Sequence, residues 1–326
     1  MAELRVLFIG GNGVISAACS RLAVERGIDL TLLNRGVSTA RPKIKGARTL
    51  LGDARDRRSL EAAVGDQTWD VVVNFQSFLP EEAAADAALF SGRTGQFVFI
   101  SSASAYARPK RLPIRESTPL NNPHNAYSSN KALSERVLFE AYLANGFPLT
   151  IVRPSHTYDH TLVPLHGGWT VIDRMRRGRP TVVPGDGTSL WIMTHQRDFA
   201  IGLIGLLGNP QAIGEAYHIT SDEVLTWNEI ATILAEAAGA SVQLAPVTSK
   251  RIAKEIPNWG PALLGELMHC AWFDNSKIKT IVPEFVAATP YWLGAREMIA
   301  WYDANPDRKT VDRDLDAALD RLAAEQ

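Results

Sequence analysis

The 326-residue sequence predicts an α/β protein, a doubly wound parallel sheet with a smaller carboxyl-terminal lobe, and three observations carry that expectation. Short β-branched runs alternate with helical patterns through the first half, and the first run opens straight into a glycine-rich turn. The second half loses this regularity to loops rich in Gly and Pro, such as "TLVPLHGGW" and "RGRPTVVPGDGTS".

The elements follow in order. "LRVLFIG", a helix over about Val14 to Arg26, "DLTLLN", "ARTLLGD", a helix near Ser59 to Val64, "WDVVVNF" and "QFVFISS" predict successive right-handed βαβ units. Runs apolar on both faces belong inside a parallel sheet covered by helices on both sides. "NAYSSNKALSERVLFEAYLANG" repeats its apolar residues at helical spacing, and "PLTIVRP" follows as a sixth strand. Further on, "AYHIT" is strand-like, and "TWNE" reads as a capping box opening a helix near Thr226. Two more helices end the chain, and the last sets Val311, Leu315, Leu319 and Leu322 on one face, so it is expected to dock.

Composition narrows the function classes. Hydrophobic residues make up 46% of the chain, enough for a large core, and the formal net charge of −1 is spread without runs. Nothing in that balance points to nucleic acid as a partner. Cys19 and Cys270 lie far apart without metal-ligand spacing, which predicts no metal site and fits a reducing compartment, with both acting as core filler. "MAELRVLFIGG" enters a strand with no longer apolar leader, and "IGLIGLLG" falls well short of the ~20 residues needed to span a bilayer. A soluble cytoplasmic protein with no membrane partner is the expectation.

Chemistry is concentrated in the first half. In "GGNGVIS", Gly10, Gly11, Asn12, Gly13, Val14 and Ile15 form a strand-to-helix turn of the kind that lets a backbone approach a pyrophosphate at a helix amino terminus. The spacing G-x-x-G-x-x-S departs from the common pattern at Ser16. Where a ribose-binding acid is expected, "LLNRG" offers Asn34 for a ribose hydroxyl and Arg35 for a 2′-phosphate, which leans toward NADP and leaves NAD open. Asp53 in "LGDARD" suits an adenine amino group or a simple turn. Tyr127 and Lys131 stand four apart on one helix face, so the ammonium can favour a phenolate that otherwise forms only near pH ~10. "FVFISSASAY" ends a buried strand in hydroxyls at the carboxyl edge of the sheet, where ligands of such folds bind. A serine there can bond the oxygen that Tyr127 protonates or deprotonates.

Together "GGNGVIS", "GDARD", "ISSASAY", "YSSNK", "VRPSHTY", "VPGDG", "THQRDFA" and "AYHIT", in this order, resemble the short-chain dehydrogenase/reductase superfamily. The resemblance is to its extended and atypical branches, which include the NAD-dependent epimerases and dehydratases. It covers most of the chain and implies a Rossmann domain over 1–155 and about 190–220, with a substrate-binding lobe over about 156–189 and 221–326. It also implies Ser102, rather than Ser101, with Tyr127 and Lys131 as the catalytic set, Lys131 also holding the nicotinamide ribose. Further cofactor contacts are implied at Ala54, Phe75, Gln76 and Pro154. Gln76 stands where the family usually has a small residue. The acid and base pair of the 4,6-dehydratases is replaced by Ala103-Ser104, which disfavours that reaction.

An epimerase acting on a sugar or nucleotide-sugar leads, with an oxidoreductase that exchanges its cofactor as the alternative. A protein that uses the fold only to bind, as a cofactor sensor or RNA-associated protein, is a third. Substrate contacts are expected at Ser102, Ser104, Tyr127, His156 and Trp191, of which His156 also suits an extra acid or base and Trp191 suits core packing. His160 reads as a loop histidine, and "RMRRGR" as a solvated helix end or a phosphate contact. The arginine that grips a diphosphate in the family aligns with Trp191. A homodimer is the family expectation.

Overall fold

A computed structural model describes residues 4–37, 41–107 and 111–324. Its centre is a seven-stranded sheet, parallel throughout. β1 (Arg5–Ile9), β2 (Asp29–Asn34), β3 (Arg48–Leu51), β4 (Trp69–Asn74), β5 (Thr94–Ile100) and β6 (Leu149–Pro154) lie in the spatial order 3-2-1-4-5-6. The strand Glu215–Ile219 adds itself beyond β6. The expected strands are all present, and "AYHIT" pairs with β6 in the main sheet.

Alternation along each strand sends side chains to two apolar layers. Val6, Phe8, Val71, Val73 and Val98 meet α1 (Ser16–Glu25) and a helix at Gln196–Leu206 on one face. Leu7, Ile9, Val72, Phe97 and Phe99 meet α2 (Arg57–Val64), α3 (Pro80–Phe90) and α4 (Ala126–Asn145) on the other. Each such fully buried side chain contributes roughly 1.5–3 kcal/mol, so the sheet is rigid and its carboxyl edge is a fixed platform. α3 was not anticipated. Its alanine-rich "PEEAAADAALF" lacks a clean apolar stripe, yet Pro80 opens it and the Glu82 carboxylate accepts the Leu79 amide.

α4 carries the tyrosine and lysine. The Asn125 side chain accepts the Tyr127 amide, and Gly146 ends the helix at a φ of 67°, so the polar "AYSSNK" stretch starts the helix at the sheet's carboxyl edge.

A third apolar cluster belongs to the carboxyl-terminal half. It packs α5 (Trp169–Arg176), the helix Trp227–Ala237 and the last two helices, Tyr291–Ala304 and Arg313–Ala324, around paired short strands at Thr181–Pro184 and Leu244–Val247. The capping box at Thr226 and Glu229 forms as expected. Leu319 and Leu322 dock the final helix.

The basic run corrects one expectation. Arg174 is 1% exposed and bonds Asp316 at 2.6 Å and Asp320 at 2.9 Å on the final helix, while Arg176 and Arg177 pair with Asp303 and Asp173. Arg176, Arg177 and Arg179 stay exposed, as a solvated helix end does, and only the buried Arg174 departs from that expectation, tying α5 to the final helix.

Candidate active site

Two loops meet at the carboxyl edge of the sheet, one after β1 and one after β5. In the first, Gly10 takes a φ of +89°, and a Cβ on Gly11 would lie 2.4 Å from Leu32 Cδ2. Only glycine fits either place. The Ser16 hydroxyl donates to the Gly10 carbonyl and accepts the Gly13 amide, both at 2.7 Å. A hydroxyl thus pins the turn where a glycine would merely permit close packing. Asn12 Oδ1 is buried without a protein partner, and the ten-residue α1 aims its amino terminus at the same place. These features fit a dinucleotide.

Around that turn the other expected cofactor residues are placed as follows. Gln76 leans on it, with Cγ 2.5 Å from where a Gly10 Cβ would be. Asn34 Oδ1 accepts the Gly36 amide, and the exposed Arg35 stands 3.9 Å from Asp53, whose carboxylate also accepts the Arg55 amide. Asp53 is therefore part of an Asx turn. Ala54 is half-buried against the sheet, Phe75 packs edge-on against Phe8, and Pro154 ends β6 opposite Ile219.

The second loop sets out hydroxyls in succession. Ser128 on α4 donates to Ser104 at 3.0 Å, Ser104 and Ser102 share a bond of 2.9 Å, and the Ser102 hydroxyl lies toward that of Tyr127. Ser101 points away and donates to Glu135, which leaves Ser102 as the serine facing the tyrosine. Tyr127 is 41% exposed, yet burial around its hydroxyl raises its pKa; the Ser102 hydroxyl opposes this and Glu266 adds to it. Lys131, 2% exposed, lies beneath, its Nζ donating at 2.7 Å to the carbonyls of Ser77 and Ile100 and standing 5.8 Å from the Tyr127 ring. Burial lowers its pKa to about 8, against the pull of Glu135 and Glu82.

Behind this row, Arg153 grips Glu135 through bonds of 2.6 to 3.2 Å and donates to Tyr106 at 2.7 Å. The network fixes β6 to α4 and holds Lys131's helix in register.

Two expected substrate residues are placed differently. Trp191 is 1% exposed, stacked on Trp227 at 5.4 Å, and donates its indole N–H to His156 Nδ1 at 2.8 Å. Its faces are taken, so it has none to offer a sugar. His156 receives that bond on Nδ1, and burial lowers its pKa to about 4. A buried ring held neutral is a poor acid. It is also the one non-glycine residue at positive φ, 23°, among the described residues, so the chain after β6 is strained into this turn. His160 sits at the surface of the lobe near Trp301, with its pKa lowered by burial.

Glu266 went unnoticed in the sequence. It belongs to a π-helical turn, Leu263–Leu267, and burial raises its pKa to about 7 beside Tyr127. Asn122 binds this turn to the serine loop, donating to the Ser104 and Gly265 carbonyls at 2.9 and 3.2 Å. A carboxyl isolated among leucines in "LLGELM" was the available signal.

Known proteins resemble this chain in sequence and fold. A chloroplast stem-loop binding protein of 41 kDa from Arabidopsis thaliana is 25% identical over 250 residues, 73% of this chain and 64% of its own length. A UDP-glucose 4-epimerase from Lactobacillus helveticus is 30% identical over 168 residues, 46% of this chain and 51% of its own. The chain therefore spans less than two thirds of either relative. The crystal structure of UDP-glucose 4-epimerase from Bifidobacterium longum with NAD+ and UDP superposes with a TM-score of 0.73 at 18% identity, covering 93% of this chain and 99% of that one. Residues 6–220 match the family model that includes the glycine turn, the serine loop and the tyrosine helix, and the chain belongs to the NAD dependent epimerase/dehydratase family.

Proposed function

We propose that this protein is an NAD(P)-dependent epimerase acting on a sugar or sugar-derived carbinol. The observation that carries the reading is the Ser102–Tyr127–Lys131 set at the sheet edge, one loop away from a turn shaped for a dinucleotide. Residues 1–155 with about 190–220 hold the cofactor, and about 156–189 with 221–326 hold the substrate.

Gly10 to Ile15 carry the pyrophosphate on the turn and the start of α1, with Asn12 Oδ1 free to accept from a ribose hydroxyl. Lys131 has two of its three N–H groups on backbone carbonyls and one left for a ribose hydroxyl. The nicotinamide ring, when bound, supplies a hydride acceptor and donor for the carbinol carbon. Tyr127 takes the hydroxyl proton as that carbon is oxidised and returns it on reduction. Ser102 holds the same oxygen, and the Lys131 cation stabilises the phenolate. Ser104 and Ser128 extend the row behind Ser102, so charge arriving at Tyr127 polarises a chain of bonds.

In the epimerase, the keto intermediate turns over and the hydride returns to its other face. A second reading, an oxidoreductase that exchanges NADP, rests on Arg35: it is exposed and held only loosely by Asp53, so a 2′-phosphate can claim it. The test is Tyr127→Phe with a panel of sugars and nucleotide-sugars. Turnover of any active substrate falls about 10³-fold while cofactor content is unchanged. Undiminished turnover in the variant rules the assignment out.

A further inference from the structure

Beyond the hydroxyl row, the carboxyl-terminal lobe encloses a cavity of about 360 Å³. Ligand sites start near ~300 Å³, and an apolar cavity of ~150 Å³ already takes a benzene ring. Its walls are mostly apolar, with Val171, Val182, Trp227, Leu263 and Leu267 among them. His166 lies flat against Trp259, centroids 5.1 Å apart, and both rings face the space.

Charge is missing from it. Arg174 is the only ammonium or guanidinium among its lining residues, and Asp316 and Asp320 already neutralise it at 2.6 and 2.9 Å. His156 and His166, the other basic residues there, are buried and their pKa values are lowered. A diphosphate would enter with its charges uncompensated, which is prohibitive in such surroundings.

Two polar atoms in the walls are nevertheless unsatisfied. Arg174 spends its terminal nitrogens on Asp316, Asp320 and the Pro180 carbonyl, and Nε has no partner. Thr181 Oγ1, buried on the strand Thr181–Pro184, has none either. A buried donor left unbonded costs about 1–3 kcal/mol, and both atoms lie just beneath the cavity surface, so they favour a guest that reaches them as neighbouring side chains give way.

The cavity lies across the π-helical turn from the reacting groups. Leu263 and Leu267 line it, while Glu266 between them acts on Tyr127 and Gly265 is held to the serine loop by Asn122.

We propose that this cavity receives an uncharged, ring-bearing aglycone of the substrate, one that offers an oxygen to Arg174 Nε and Thr181 Oγ1, rather than a nucleotide diphosphate. The inference rests on the hydride-transfer reading for its second half, the sugar-like carbinol at Tyr127. Binding in the cavity stands by itself.

The full chain is titrated with 2-naphthol, two fused rings bearing one hydroxyl, and in parallel with UDP, by calorimetry and tryptophan fluorescence. Saturable naphthol binding is expected, with quenching of the lining tryptophans and no saturation by UDP. Val182→Phe fills the space and weakens naphthol at least tenfold. Thr181→Val, the milder change, weakens it several-fold in protein whose melting curve is intact. Tyr127→Phe leaves naphthol affinity unchanged, which separates this claim from the catalytic one. Saturation by UDP without naphthol binding, no saturable naphthol binding, or naphthol affinity indifferent to both cavity variants overturns the proposal.

Discussion

Burial raises the pKa of Tyr127 and lowers that of Lys131 to about 8, so each group is pushed toward its neutral form. The pair works because one charge stabilises the other. Since Lys131 must be cationic, kcat/KM should fall on the alkaline side near pH 8, and Lys131→Arg should remove that limb, its guanidinium staying charged, even as the maximum rate drops. A pH profile of the two proteins checks this; an alkaline limb unchanged in the variant would assign it to another group.

Tyr127 and Lys131 were legible because helical spacing alone brings i and i+4 together. Ser102 followed from its strand end. Trp191 takes the core-packing role the sequence also offered, because its indole N–H and the His156 imidazole satisfy each other, and His156 is left lining the lobe's cavity; only packing decides between such roles. Glu266 stayed hidden since its partner Tyr127 lies more than a hundred positions away.

At the scale of elements, the parallel sheet was readable from its β-branched runs, whereas α3 was not, because alanines on all sides give little periodicity. α3 carries a second titratable anomaly. Asp86 is buried, accepts a bond from the Asn74 side chain at 2.7 Å, and has its pKa raised by burial to about 7. The folded protein then holds a proton that the unfolded chain releases above about pH 4, so this group's contribution to stability declines as pH rises from about 4 to 7. Asp86→Asn abolishes that term. Its melting temperature relative to the parent should climb across that window, by the equivalent of about 4 kcal/mol, and a pH-independent difference would contradict the argument.

The basic run on α5 shows why a charge pattern misleads: its partners Asp316 and Asp320 arrive from a helix some 140 residues later. Arg174→Met leaves Asp316 with Arg177 as its remaining cation and should cost about 1–3 kcal/mol. Limited proteolysis is expected to release the final helix, and resistance equal to the parent's would show that its apolar face alone suffices.

As a whole molecule, the chain joins a rigid sheet to a lobe whose short strand pairs gave no strong periodic signal, which is why the lobe's interior was the least foreseen part. The outer face of α4 leaves Leu133, Phe139 and Leu143 exposed, at 37%, 41% and 69%. Such a stripe is the support for a homodimer. Leu143→Glu should shift the mass measured by light scattering toward one chain, and an unaltered mass would place any interface elsewhere.

The claim on which the rest depends is that the glycine turn and Lys131 hold a nicotinamide dinucleotide where Tyr127 can move a proton. Denaturing freshly purified protein and identifying the released nucleotide by chromatography and mass tests it directly. Near-stoichiometric NAD is the predicted result and marks a cofactor recycled in place, as an epimerase needs. A protein that arrives empty but binds NADPH keeps the hydride chemistry and transfers it to the exchanging oxidoreductase. A protein that releases no nicotinamide nucleotide and binds neither NAD nor NADPH contradicts the account.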